Sequence, residues 1–243
     1  MSVKRLAAPI SWTCERLEQE ELLDQGIGTR RNVAQNMAEM QRINDLLGGT
    51  RALTAHLYPR LLVQTTPVTV VDLGTGGGGL PLVLVQWARK RNLNLRVLGV
   101  DWSARNLESA MPSVRHAPEI HLLQADALNL PIPPGGVDFV ISTLFMHHLA
   151  PETLMRVLRE AYDLAQRGVI MSDLVRGWAP YYAFKLIAPV FARSYLTRHD
   201  GALSVRRAYT PQELYRLARR AGLPPPQVHT HFPWRMTLVV QKS

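Results

Sequence analysis

The feature that most constrains the fold is an apolar run that ends in a carboxylate and then in a nearly pure glycine turn. Residues 68–73, VTVVDL, read as a buried strand, and residues 74–79, GTGGGG, follow at once. Glycines let the backbone adopt positive φ and bring main-chain N–H groups against a ligand. The apolar segment from Leu80 can begin a helix whose positive end faces the same turn. The stretch predicts a strand–turn–helix unit with a ligand site at the turn.

Two classes of nucleotide cofactor suit such a turn, and one acidic residue separates them. Gly74, Gly76 and Gly79 match the G-x-G-x-x-G spacing of dinucleotide-binding folds. Asp101 follows roughly 20 residues on, as those folds require. Asp72, however, lies just before the first glycine, where its charge would repel a diphosphate but suits a ligand with ammonium and sulfonium groups. Electrostatics therefore favour S-adenosylmethionine over NAD.

With these motifs in this order, the chain resembles the class I S-adenosylmethionine-dependent methyltransferases from about Val68 to the C-terminus. The resemblance implies that the turn holds the methionine part of the cofactor and that Asp101 binds both ribose hydroxyls. It also implies that Asp126 accepts from the adenine amino group, and that the product is S-adenosyl-L-homocysteine. The predicted cofactor-binding residues are Asp72, Gly74, Thr75, Gly76, Gly78, Asp101, Trp102, Asp126, Ala127 and Thr143.

The residues around the second and third predicted strands agree with this interpretation but leave an alternative. Residues 97–100 read as a short buried strand ending at Asp101, and a carboxylate can accept from two hydroxyl donors at once. Trp102 beside it could cover the adenine. Alternatively, Asp101 and Asp126 only cap helices or turns, as Asp often does. Their positions at strand ends that line a crevice favour the cofactor role.

The order of the predicted elements indicates the fold class. Strands and helices alternate from Val68 to Ser172, which indicates an α/β, doubly wound, mostly parallel sheet of seven strands with helices on both faces. The strands predicted at 227–232 and 235–241 are joined by two residues. That link is too short for a crossover, so the last strand is expected to be antiparallel.

Helical segments are expected at the N-terminus and inside the sheet domain. Residues 1–65 are predicted to form an N-terminal helical lid or appendage, and residues 66–243 the methyltransferase domain. An insertion at about 175–209 is predicted to form a helical cap over the substrate. The helices predicted in the appendage are Glu15–Gln25, Arg30–Leu47 and Thr50–Leu62.

The insertion is rich in aromatic residues, which suit the lining of a site for a flat or lipophilic acceptor such as a phenol, polyketide or quinone-like ring. Part of them can equally be ordinary core. A membrane-surface helix is the other alternative, which Pro180 and Pro189 weaken because prolines interrupt long helices. The residues concerned are Trp178, Tyr181, Tyr182, Phe184, Ile187, Phe191 and Tyr195.

The candidate catalytic residues follow the fourth and fifth predicted strands. Methyl transfer needs a general base only if the acceptor loses a proton, and His147 and His148 are the nearest candidates because imidazole titrates near neutral pH. Asp173, at the end of the fifth strand, is an alternative base or substrate contact. The competing interpretation is a structural, hydrogen-bonded histidine. No metal site is predicted.

The acceptor can be narrowed by motifs that this sequence lacks. It has no Asn/Asp-Pro-Pro-Tyr/Phe motif and no cysteine near the fourth or fifth strand, which disfavours amino-methylating enzymes and RNA cytosine-C5 enzymes. We therefore expect a small organic acceptor, methylated at oxygen. An RNA methyltransferase, an NAD-binding oxidoreductase and a cofactor-binding relative without transfer activity remain alternatives.

Charge and cysteine content bear on partners and location. The formal net charge is +9, which can signal an anionic partner. The basic residues are spread out, however, so a solvated surface is favoured over a nucleic-acid track. The single cysteine, Cys14, excludes an internal disulfide, and no long apolar run suggests export or a transmembrane segment. A cytoplasmic location is expected, and the oligomeric state is left open.

Overall fold

The structure is a computed structural model that describes residues 13–242, and within them one mixed sheet is covered by helices on both faces. The strands are β1 Val68–Leu73, β2 Leu95–Asp101, β3 Ile120–Gln124, β4 Val137–Thr143, β5 Ala165–Leu174, β6 Gln227–His231 and β7 Arg235–Gln241. The helices are α1 Arg30–Leu46, α2 Gly49–Leu62, α3 Gly79–Arg89, α4 Ala104–Val114, α5 Pro151–Leu164, α6 Trp178–Phe191, α7 Tyr195–Arg207 and α8 Pro211–Arg220.

The strand order is β3-β2-β1-β4-β5-β7-β6. The first five strands pair in parallel, and β7 runs antiparallel to both of its neighbours. The predicted fold class and the reversed last strand are therefore confirmed. The direction of winding changes between β1 and β4, and in such sheets a crevice opens at that point, beyond the carboxyl ends of the strands.

Each face of the sheet has its own apolar core. Leu154 and Leu158 of α5 and Leu214 of α8 pack on one face, while Leu53 and Leu57 of α2 pack with α3 on the other. Helix α2 is therefore part of a sheet layer, although it lies in the predicted appendage. The domain boundary at residue 65 stays a prediction.

The segment before α1 corrects one predicted element. Residues 15–25 do not form a helix: they are extended as far as Glu21 and then make a turn. Tertiary contacts replace the helical hydrogen bonds, because Leu17 N donates to Arg206 O and Leu22 N and Leu23 N donate to the Asp200 carboxylate. We call residues 13–29 the strap. It lies along α7.

Helices α1, α6 and α7 form a third layer outside the sheet. Ile43 of α1 packs with Phe184 and Ala188 of α6. Glu39, also on α1, is buried and accepts hydrogen bonds from Arg193 N and Ser194 N just before α7. Within the described part of the chain, none of the helices has the length and apolarity needed to cross a membrane. The cytoplasmic location stays a prediction.

Candidate functional site

A cavity of about 1130 Å³ opens at the carboxyl ends of β1, β2 and β4. The glycine turn and the loops after these strands form its floor, and the strap, α1 and α7 form its walls. Nine predicted cofactor-binding residues line it, namely Asp72, Gly74, Thr75, Gly76, Asp101, Trp102, Asp126, Ala127 and Thr143. Gly78 does not line the cavity. His147 and His148 do, whereas Asp173 lies behind His147.

The glycine turn requires glycine for two separate reasons. Gly74, Gly76 and Gly78 all have φ between 53° and 73°, a region that side chains with a Cβ rarely adopt. A Cβ on Gly74 would also lie 2.6 Å from Cδ2 of Phe145. Gly78 precedes α3, and a Cβ there would press on Val114 of α4 at 3.0 Å. Gly78 thus serves helix packing, while its neighbours shape the cavity.

Asp72 is held beneath the turn and is only 1% exposed. Its Oδ1 atom is buried with no hydrogen-bond donor in the described structure, and the same is true of Thr75 Oγ1. Burial raises the pKa of Asp72 to about 7; the Thr75 side chain lowers that pKa in part, and repulsion from the nearby Asp101 raises it. A cation placed at the turn would reverse both increases.

Asp101 and Asp126 also support the local backbone. Asp101 Oδ2 accepts from Gly76 N at 2.9 Å, and its Oδ1 accepts from Ser103 N at 2.9 Å. Asp126 Oδ1 accepts from Leu128 N at 2.9 Å. The turn-capping role is therefore present, and because a carboxylate has about four acceptor positions, it leaves capacity for a ligand. Trp102 is 75% exposed at the rim.

His147 lies between two buried carboxylates. Its Nδ1 is 2.8 Å from Asp173 Oδ1, and its Nε2 is 3.5 Å from Glu21 Oε1 of the strap. Burial alone would lower the pKa of His147, but the two carboxylates outweigh it and raise that pKa to about 10. A ring that already carries both protons cannot accept another. The geometry therefore favours a structural role for His147.

His148 differs from His147 in its contacts and exposure. Its side chain is 25% exposed on the cavity wall, and Nδ1 lies 2.8 Å from Asp24 Oδ2 of the strap. Arg207 Nη1 reaches the same Asp24 oxygen at 3.3 Å, and Arg207 Nη2 donates to His148 O. With Nδ1 held by Asp24, the Nε2 atom of His148 is left for a ligand.

Among residues 13–242, one group of side chains has the spacing of a metal site. It consists of Glu21, His147 and His148, whose possible ligand atoms lie within 4.8 Å of one another. Glu21 also accepts from Ser204 Oγ at 2.6 Å. We interpret the group as an ion pair network, because each N–H of a protonated His147 faces a carboxylate and the buried charges are matched without an ion.

Comparisons with known proteins agree with this geometry. A family model described as "Methyltransferase domain" matches residues 70–168. Demethylmenaquinone methyltransferase of Thermus thermophilus is 29% identical over 145 residues, which are 59% of this chain and 63% of that protein. The match thus spans less than two thirds of the relative's own length.

Two solved structures share the fold at 14% identity. A SAM-dependent methyltransferase from Aquifex aeolicus has a TM-score of 0.60, with 84% of this chain and 97% of that chain covered. Human N-acetylserotonin methyltransferase in complex with SAM has a TM-score of 0.64, with 94% and 63% covered. Residues 70–168 thus match a methyltransferase-domain family, and the chain has the fold of S-adenosylmethionine-dependent methyltransferases.

These matches support S-adenosylmethionine as the cofactor, and the turn fits it. The buried, unpartnered oxygen of Asp72 suits a cationic ligand, and Gly74, Gly76 and Gly79 line the same cavity. Asp101 and Asp126 offer further acceptors to the hydroxyl and amino groups of a nucleoside. Which cofactor atom each residue binds stays a prediction. The interpretation as an NAD-binding oxidoreductase is not supported.

The wall of the cavity corrects a second prediction. The aromatic residues of α6 do not line the cavity, which α7 borders through Asp200, Ser204 and Arg207. Its apolar walls come instead from α1 and the loop after β4, and include Met37, Met40, Leu144, Phe145 and Leu149. Leu144 has φ of 55°, a costly conformation for a non-glycine residue. It lies directly beside the site.

The sequence did not predict two residues that contact the candidate histidines. Glu21 and Asp24 lie in the strap, outside any motif, and contact His147 and His148 more than 120 residues away. Two acidic residues three positions apart in a polar segment give no signal of this pairing. The one available hint is the leucine pair Leu22–Leu23, which indicates that the segment packs against the protein.

Proposed function

We propose that this protein transfers a methyl group from S-adenosylmethionine to a hydroxyl group of a small, lipophilic organic acceptor, with His148 as the general base. The observation that carries the proposal is the pairing of His148 Nδ1 with Asp24 Oδ2 at 2.8 Å on the wall of the cavity that also contains the glycine turn. An imidazole oriented by a carboxylate is a common arrangement for removing a proton from a hydroxyl.

His148, Asp24 and Arg207 each have a separate role in the proposed transfer. When bound, the cofactor supplies a methyl group already activated by its sulfonium. His148 accepts the hydroxyl proton on Nε2 while Asp24 holds Nδ1–H, and Arg207 keeps Asp24 in place. The acceptor oxygen would then take the methyl group, and the cofactor would leave as S-adenosylhomocysteine. Leu23 of the strap and Leu149 shield the reacting groups from water.

The acceptor class is supported by the cavity wall and by a relative. Met37 and Met40 present flexible apolar side chains next to Phe145, and methionine adapts to flat or irregular apolar ligands. The relative from Thermus thermophilus is named for demethylmenaquinone. A tRNA or rRNA substrate is less favoured, because the basic residues are spread along the chain and do not form one continuous track.

The test is a methylation assay with the full chain, labelled S-adenosylmethionine and a panel of hydroxylated aromatic acceptors, including a quinol. Replacing His148 with Gln should lower kcat by about 10²–10⁴ and leave the Kd for S-adenosylhomocysteine unchanged. Asp24→Asn should lower kcat less, and the exposed His116→Gln serves as the matched control.

Two outcomes would contradict the proposal. Full activity of His148→Gln would remove the histidine from the mechanism. Methylation of amine or carbon acceptors alone, with no product from any hydroxyl, would show that the acceptor atom is wrong.

A further inference from the structure

The outward face of α6 is apolar and exposed. The sequence of the helix, WAPYYAFKLIAPVF, contains a single charged residue, Lys185. Tyr182, Leu186 and Val190, four residues apart, lie on one face and are 61%, 80% and 76% exposed. Phe191 at the end of the helix is also exposed. Scattered exposed apolar residues are normal, but a continuous row along one helix marks an interaction surface.

The composition of α6 sets it apart from the other surface helices. A helix that is apolar on all sides is normally buried in a protein or in contact with lipid. The opposite face of α6 is already buried, through Phe184 and Ala188. In α8, by contrast, the outward positions carry Arg216, Arg219 and Arg220. The apolar outer face of α6 therefore lacks a partner within the described part of the chain.

Aromatic and basic side chains surround this face. The rings of Trp178, Tyr181 and Tyr182 lie within 5.9 Å of one another, centroid to centroid. The guanidinium of Arg206 lies 4.8 Å from the Trp178 ring, and Lys185 Nζ lies 5.3 Å from the Tyr181 ring. Tryptophan and tyrosine beside lysine and arginine are typical of groups that sit at the level of lipid headgroups.

The exposed charges of the 175–209 insertion have one sign. Arg193 and Arg198 follow α6 and are exposed. The acidic residue of the 175–209 insertion, Asp200, is buried against the strap. A second copy of the chain would bring the same positive rim against its own, at a net charge of +9 per chain. An anionic lipid surface matches it, at about 1 kcal/mol for each basic residue near the headgroups.

We propose that α6 docks the protein on the surface of anionic membranes, with Tyr182, Leu186 and Val190 inserted among the lipid headgroups. Pro180 and Pro189 were expected to interrupt a membrane-surface helix, but α6 is continuous. Pro180 lies in its first turn and Pro189 in its last. Helix α6 packs on α7, which lines the cavity. Docking therefore places the cavity wall next to the bilayer, where a lipophilic acceptor would be concentrated.

The test is co-sedimentation of the full chain with two kinds of vesicle, phosphatidylcholine alone and phosphatidylcholine containing phosphatidylglycerol. The wild type should pellet with the anionic vesicles, and added salt should weaken the binding. The double variant Leu186→Ser/Val190→Ser should bind at least about tenfold less, because it removes several methylene groups from the lipid phase. Phe232→Ser, at a residue that is 91% exposed on the β6–β7 turn, is the matched control and should bind like the wild type.

The assay contains no methyl acceptor, so its result is independent of the proposed transfer reaction. Equal sedimentation of the wild type and the double variant, with S-adenosylhomocysteine binding retained by both, would overturn the proposal. So would absence of binding to anionic vesicles. A wild-type dimer that the double variant converts to a monomer, again without vesicle binding, would assign the face to a second copy of this chain.

Discussion

The adjacent residues His147 and His148 have different surroundings, and these surroundings give them different roles. His147 points into the protein, where Asp173 and Glu21 hold it as a buried cation. His148 points to the cavity wall and keeps one ring nitrogen free. The sequence identified both as candidates and could not separate them, because their surroundings are built by residues far away in the chain. The difference makes them separable by experiment.

Replacing His147 with Gln should destabilise the fold by about 3–5 kcal/mol, because it leaves buried carboxylates without their cation. The pKa of His147 is raised to about 10, so its contribution is complete below its unfolded pKa of about 6.5 and is lost as pH rises through 10. Urea unfolding from about pH 6 to 10 should show this loss in the wild type and not in the variant. His148→Gln is the control, with a change within about 1 kcal/mol.

The second prediction at this scale concerns Asp72, whose pKa is raised to about 7 by burial. A cationic cofactor binds the ionised form, so affinity for S-adenosylmethionine should be constant above that pH. It should fall by up to about tenfold for each pH unit below it. Calorimetry at several pH values would measure this. Asp72→Asn should bind weakly at every pH, and a wild-type Kd that does not change with pH would contradict the prediction.

At the scale of elements, the sequence predicted structures that depend on neighbouring residues and did not predict contacts between distant residues. Helix α8 begins with a local signal, a capping box in which Thr210 and Glu213 exchange both hydrogen bonds. Residues 15–25 of the strap were predicted to form a helix, yet Leu22 N and Leu23 N donate to Asp200, 178 and 177 residues away. Residue spacing cannot reveal a partner at that distance. The strands and the glycine turn could be predicted because patterns of neighbouring residues specify them. The cavity walls could not be predicted because they are formed by segments that are distant in sequence.

Asp200 should therefore control how firmly the strap closes the cavity. Asp200→Asn keeps the size of the side chain but removes the charge that accepts from Leu22 N and Leu23 N. Hydrogen exchange at these two amides should become faster, and cofactor dissociation should quicken, while the melting temperature changes little. Asp163→Asn, at a partly exposed ion pair with Arg159, is the control. Unchanged exchange at Leu22 and Leu23 would show that other contacts hold the strap.

At the scale of the whole molecule, the cavity joins parts of the chain that are distant in sequence, so its ligand should stabilise the entire fold. The site unites the strap, α1, the β1–α3 turn and α7. A ligand at 100 times its Kd adds about 2.7 kcal/mol to the stability of the native state. For a domain of this size, that amount corresponds to a rise in melting temperature of roughly 5–10 °C.

S-adenosylhomocysteine should produce this rise in a thermal unfolding experiment on the full chain, and NADH should produce none, because the charge of Asp72 would repel a diphosphate bound at the turn. Asp101→Ala should abolish the response, since it removes both the predicted ribose contact and the bond to Gly76 N that shapes the turn. Asp126→Asn, which preserves an acceptor oxygen for the turn at Leu128, should keep most of it. If NADH raised the melting temperature as much as S-adenosylhomocysteine does, the charge of Asp72 would not select against a diphosphate, and this prediction would be wrong.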